Sequence, residues 1–127
     1  MRDDWPRLAD ILEAIGQIEK YSSRGRAAFD ESELIEMWIL HHLEIMGEAC
    51  RGLSEDFRNA HPDEVWSDVV SFRNVLAHQY FGIDLEAVWE VVVRDLPLLK
   101  RSIASTISRT LDSQQQEDHA QGVIQTV

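Results

Sequence analysis

The chain has a single cysteine, three prolines and no long apolar run, and each shortage removes a class of protein. Cys50 alone cannot close an intramolecular disulfide or supply a cysteine-based zinc cluster within one chain, which agrees with a reducing compartment. No apolar stretch reaches the roughly 20 residues that a membrane-spanning helix needs. Asp3 and Asp4 stand where a secretory leader would carry basic residues ahead of an apolar run, so the expectation is a cytoplasmic protein with no membrane partner.

Positive charge is scarce as well. Twelve Lys and Arg stand against 23 Asp and Glu, a formal net charge of −11. Broad, non-specific nucleic-acid binding needs a positive surface that displaces counterions from phosphates, so any such role here requires a local basic groove. Ten of the twelve basic residues are arginine, suited to forked phosphate contacts but equally to pairing with the surplus carboxylates. One stretch lacks carboxylates instead: from Asp68 to Asp84, fifteen consecutive residues contain no Asp or Glu, and they include "FRNVLAHQYF" at 72–81.

What is present describes a single helical domain. A length of 127 residues with 44% hydrophobic and 28% charged residues is enough for one core without disulfides or a structural metal. Pro6 suits a first helical position, and Leu8, Ile11, Leu12, Ile15 and Ile18 follow at helical spacing, which predicts a first helix. Gly25 and small polar residues predict a loop over 21–30, with Asp30 or Ser32 capping the next helix. That helix carries two apolar tracks, Leu34, Trp38, His41 and Ile45 beside Ile35, Ile39, His42, Met46 and Ala49, as a central helix packed on more than one side would. Ser54 with Glu55 and Asp56 marks a short helical segment that Pro62 ends, and Asp63 or Ser67 can start a helix toward the carboxylate-free stretch.

After Gly82, Asp84 can cap a long helix with a stripe of Leu85, Val88, Trp89, Val92, Leu96, Leu99, Ile103 and Ile107. "VVV" at 91–93 is β-prone, but the stripe keeps helical spacing through it, and Pro97 is expected to kink the helix rather than end it. From Asp112 onward the sequence is polar and low in complexity, and a frayed or disordered tail over 112–127 is expected. The fold class is all-α, four main helices plus a short one.

Arg73, Asn74, His78 and Tyr80 form the one constellation that suggests chemistry. Arg73 and Tyr80 are seven residues apart and nearly in line on a helix, whereas His78 lies about 140° from Arg73 unless the helix unwinds ahead of Gly82. An arginine to hold a phosphate and a histidine that exchanges protons near neutral pH can support metal-free RNA cleavage by the neighbouring 2′-hydroxyl. One histidine cannot readily be both acid and base in one step, so a two-fold dimer sharing a cleft would complete the set. Spacing alone also allows a bland reading: Arg73 in a surface ion pair, His78 a satisfied histidine, Tyr80 packed at a helix end.

Other polar features carry less. His41 and His42 point about 100° apart and have no further ligand at the spacing of a helical two-histidine zinc site, so no metal site and no cofactor is expected. Gly47 permits a close helix crossing, Glu48 is at most a cleft-edge residue, and Trp38, Trp66 and Trp89 are core or interface residues before they are base-stacking platforms.

The stretch from Ile45 to Leu99 resembles the HepT family of HEPN-domain proteins, the toxin halves of HEPN/minimal-nucleotidyltransferase (MNT) toxin–antitoxin pairs. "RNVLAHQY" is similar to that family's arginine, four residues, histidine, one residue, tyrosine signature. "IMGEACRGLSEDF" and "YFGIDLEAVWEVVVRDLP" resemble its flanking segments, and the first and last helices extend the likeness over 1–111. The resemblance implies a dimeric HEPN bundle and a metal-independent ribonuclease toxin of a type VII-like pair, acting on RNA such as tRNA or mRNA. Arg73 and His78 would be catalytic with Asn74 assisting. The partner nucleotidyltransferase antitoxin would silence the toxin by AMPylation of Tyr80, acting on the homodimer or within a larger hetero-oligomer. The alternative is a non-catalytic HEPN module that binds nucleotide or RNA, or scaffolds that partner.

Overall fold

A computed structural model describes residues 4–60 and 84–125. Among them every regular element is helical: α1 (Trp5–Ser22), α2 (Arg26–Glu31), α3 (Glu33–Arg51), α4 (Glu55–Ala60), α5 (Leu85–Glu90), a π-helical turn (Val91–Asp95) and α6 (Leu96–Gln125). The all-α class is therefore as expected.

The apolar stripes fold onto one another. Leu8, Ile11, Ile15 and Ile18 of α1 meet Ile39, Leu43 and Met46 of α3, and Val88, Leu96, Leu99 and Ile103 close the other side. Each such side chain contributes about 1.5–3 kcal/mol by leaving water, which outweighs the weak propensity of any one helix. The α1–α3 pair is the main packing surface, and Trp38 locks it by donating its Nε1 hydrogen to the Gln17 carbonyl at 2.8 Å.

Two local expectations are revised and one open choice is settled. The loop over 21–30 contains α2: Gly25 takes a left-handed φ of 96°, the chain turns, and Phe29 buries itself against the core and the Trp89 ring 5.2 Å away. Ser32, not Asp30, caps α3, its Oγ accepting the Ile35 amide, while Asp30 pairs with Arg26 at 2.8 Å. The two tracks of α3 also part company. The Ile39–Met46 side is buried, but Leu34 is 83% and Ile45 41% exposed, so the described residues cover α3 on one side.

The long C-terminal helix persists through "VVV", as expected, and the structure shows how Pro97 is accommodated. Proline has no amide to donate, and its ring crowds the carbonyl four residues back. Just ahead of it the ladder widens: the Leu96 amide donates to the Val91 carbonyl, five residues away, and Val91–Asp95 form a π turn. Beyond Asp112 the backbone is helical to Gln125, where a frayed tail was expected. Gln, Glu and Ala are good helix formers, and extending a formed helix costs far less than nucleating one.

Candidate functional site

The signature Arg73, Asn74, His78 and Tyr80 lies outside the described residues, as do Trp66 and Gly82. What the structure describes is how the chain enters and leaves that segment, and both ends are held.

On the entry side, α4 is pinned to the first turn of α1. Asp4, 2% exposed, does not cap its own helix. Its carboxylate instead accepts the Ser54 amide at 2.7 Å and the Ser54 hydroxyl at 2.8 Å. The same Ser54 Oγ accepts the Phe57 amide at 3.0 Å, so one hydroxyl starts α4 and ties it to the N-terminus. Phe57 is buried in the core beside Leu53. Arg58 reaches back and donates Nη2 hydrogens to the carbonyls of Cys50 and Arg51, a cation placed at the negative end of α3.

On the exit side, the Asp84 carboxylate accepts the amides of Glu86 and Ala87 at 3.0 and 3.3 Å, the cap expected from the sequence. Val88 then buries completely one turn later. The segment from 61 to 83 thus runs between two capped helices whose first apolar residues are anchored in one core.

The remaining candidates can be placed. Cys50 is buried, as expected of a small apolar residue, and burial pushes its thiol up to about 12, with Arg58 acting weakly against the shift. Gly47 is buried on α3 and Glu48 exposed. His42 is half-buried with Nδ1 2.8 Å from the Trp38 carbonyl; a carbonyl only accepts, so Nδ1 carries the hydrogen. His41 is exposed and stands edge-on to His42 at 5.2 Å. Among the described residues no three His, Cys, Asp or Glu side chains converge as a metal site would require.

Of the cations on the last helix, Arg94 is taken by Glu90 and Lys100 by Glu19, at 3.1 and 2.9 Å. A cavity of about 450 Å3 lies between the end of α1 and the π turn, floored by Ile15, Val92 and Leu96 with Arg101 on its rim. No helix among the described residues is long and apolar enough to cross a membrane.

The family model described as "Ribonuclease HepT-like" matches residues 11–106, which include the whole signature and both of its anchored flanks. The chain belongs to the HepT-like family. Relatives include "Putative RNase MJ1380" of Methanocaldococcus jannaschii, 35% identical over 103 residues covering 80% of this chain and 94% of that one. "Probable ribonuclease HepT" of Thermococcus cleftensis is 34% identical over 73% of this chain and 86% of its own. "Putative RNase TTE0752" of Caldanaerobacter subterraneus is 27% identical over 86% and 98%. No solved structure matches the chain. As a HepT-like protein it carries its family's match through α1, α3 and the first turns of α6, the helices that bury the core.

Proposed function

We propose that this HepT-like chain is a metal-independent ribonuclease whose centre is built from Arg73, His78 and Asn74. The observation that carries the proposal is the signature itself, set in fifteen residues without a carboxylate and lying inside the family match. Arg73 would hold the scissile phosphate. The 2′-oxygen bonds to phosphorus as the bond to the 5′-oxygen breaks, leaving a 2′,3′-cyclic phosphate and a 5′-hydroxyl. One His78 takes the proton from the 2′-hydroxyl, and the His78 of a second protomer returns one to the departing oxygen. A carboxylate in such a cleft would repel the phosphate and pair off the arginine, which gives a reason for the gap in acids.

In the same proposal the protein is a cytoplasmic toxin, restrained by a nucleotidyltransferase antitoxin that attaches AMP to Tyr80. A phosphodiester two residues from His78 would compete for the anion site that Arg73 offers to RNA. The net charge of −11 favours a second reading, a non-catalytic module that binds RNA or scaffolds its partner.

One assay separates them. Purified protein incubated with RNA in EDTA is expected to cleave it, and H78A, checked for folding by circular dichroism, is expected not to. Cleavage undiminished by that substitution would overturn the catalytic assignment. RNA binding with no cleavage by either protein would favour the module.

A further inference from the structure

The signature is not the chain's only acid-poor region. Residues 20–29, from Lys20 to Phe29, contain no Asp or Glu, and neither do residues 37–43 in the middle of α3. The fold brings the end of α1 against the middle of α3, so these two stretches become one surface. On it stand Lys20, Tyr21, Arg24, Trp38, His41 and His42.

The rings form a continuous row. Tyr21 meets Trp38 edge-on at 5.4 Å, Trp38 lies against His42 at 4.5 Å, and His42 meets His41 at 5.2 Å. Among the described residues the cations stand over rings and pair with no acid: Arg24 is 4.8 Å from the Tyr21 centroid, and Lys20 is 5.9 Å from both Tyr21 and Trp38. The two acids that bound the first stretch pair elsewhere, Glu19 with Lys100 and Asp30 with Arg26. A cation held by a ring quadrupole keeps its N–H donors available, which one held by a carboxylate does not.

We infer that this face is a second RNA-binding surface, at which Lys20 and Arg24 take backbone phosphates of a single strand and the Tyr21–Trp38–His41 row packs against its bases. Aromatic rings interleaved with cations are how single strands are held without sequence preference, each base–ring contact adding affinity and each phosphate contact adding to the salt dependence. In a chain of net charge −11, an acid-free strip lowers the repulsion that a polyanion meets. The surface rests on the reading of the protein as a ribonuclease for its ligand, but not on catalysis.

The test uses the full chain carrying H78A, so that bound RNA is not cut, and a fluorescent single-stranded 12-mer read by anisotropy at several salt concentrations. K20Q/R24Q alters two exposed side chains that hold no ion pair among the described residues, and the fold should survive it. Affinity is expected to fall about tenfold, and the salt dependence of log Kd to lose a slope of about 1.4, two phosphates at about 0.7 each. A 4-thiouridine-containing strand should photo-crosslink to peptides bearing Tyr21 or Trp38. In the otherwise wild-type chain, K20Q/R24Q should leave cleavage of a dinucleotide at its original rate.

An affinity change under twofold, with crosslinks confined to other peptides, overturns the surface. So does a K20Q/R24Q protein with unaltered RNA affinity and a changed sedimentation coefficient, which would make the face a protein contact. If no RNA is cleaved by any variant but binding still depends on Lys20 and Arg24, the surface stands and the ribonuclease reading falls.

Discussion

The Asp4 carboxylate holds both the amide and the hydroxyl of Ser54, fifty residues away in the chain, in a site that leaves Asp4 2% exposed. Through that pair, the first turn of α1 fixes the start of α4 and so the direction in which the chain sets out toward the signature. A charge nearly out of water is tolerated only because donors meet it, and removing them leaves an uncompensated group.

D4A should therefore lower unfolding free energy by about 1–3 kcal/mol. S54A, which also removes the cap from Phe57, should cost about as much. Urea unfolding of both single variants and the double should show the pair coupled, the double losing clearly less than the sum of the singles. Additive losses would mean that the two residues act independently.

Pro97 offers the opposite sign. A proline inside a helix costs about 3 kcal/mol relative to alanine, and the π turn at Val91–Asp95 recovers only part of that. P97A is expected to stabilise the protein by about 1–2 kcal/mol in the same assay, since Val92, Leu96 and Leu99 already fix the helix in the core. A loss of stability would show that the widened turn has a role of its own.

Cys50 predicts a pH dependence. Its thiol is raised in the folded protein from an ordinary value near 9 to about 12. In the unfolded chain the thiol ionises first, so this group's contribution to stability is fully present below about pH 9 and is lost as pH rises toward 12. C50A should flatten that part of the stability–pH curve. At pH 8, iodoacetamide should label the native protein far more slowly than the urea-unfolded chain.

Tyr80 separates restraint from catalysis. Y80F is expected to keep ribonuclease activity within about twofold, because the proposed acid, base and phosphate clamp are untouched, and to gain no AMP-sized mass when co-expressed with a nucleotidyltransferase antitoxin of the proposed kind. AMP appearing on Y80F would place the modification on another residue.

Much of the fold was legible because periodicity is a local property. The Leu8–Ile18 stripe, the Asp84 cap and the persistence of the last helix through "VVV" each depend on residues within one or two turns, and each was read from them. The candidate site was legible as residue types in a spacing, together with the resemblance on either side. Lys20, Tyr21, Arg24 and Trp38 were not, since Trp38 read as a core residue and the two acid-free stretches are separated by the acidic start of α3. Their one available signal was the absence of carboxylates from both stretches.

By itself, the sequence determined that the protein is a helical bundle and which residue types make up the signature. Tertiary structure decided which side of α3 is buried, that Phe29 turns an expected loop into a helix, that Asp4 serves Ser54 instead of its own helix, and that Lys20 of α1 stands over the Trp38 ring of α3. Hydrophobic spacing states only that a face exists. What covers that face, and which distant donor satisfies a carboxylate, depends on helices brought together by burial of the shared core.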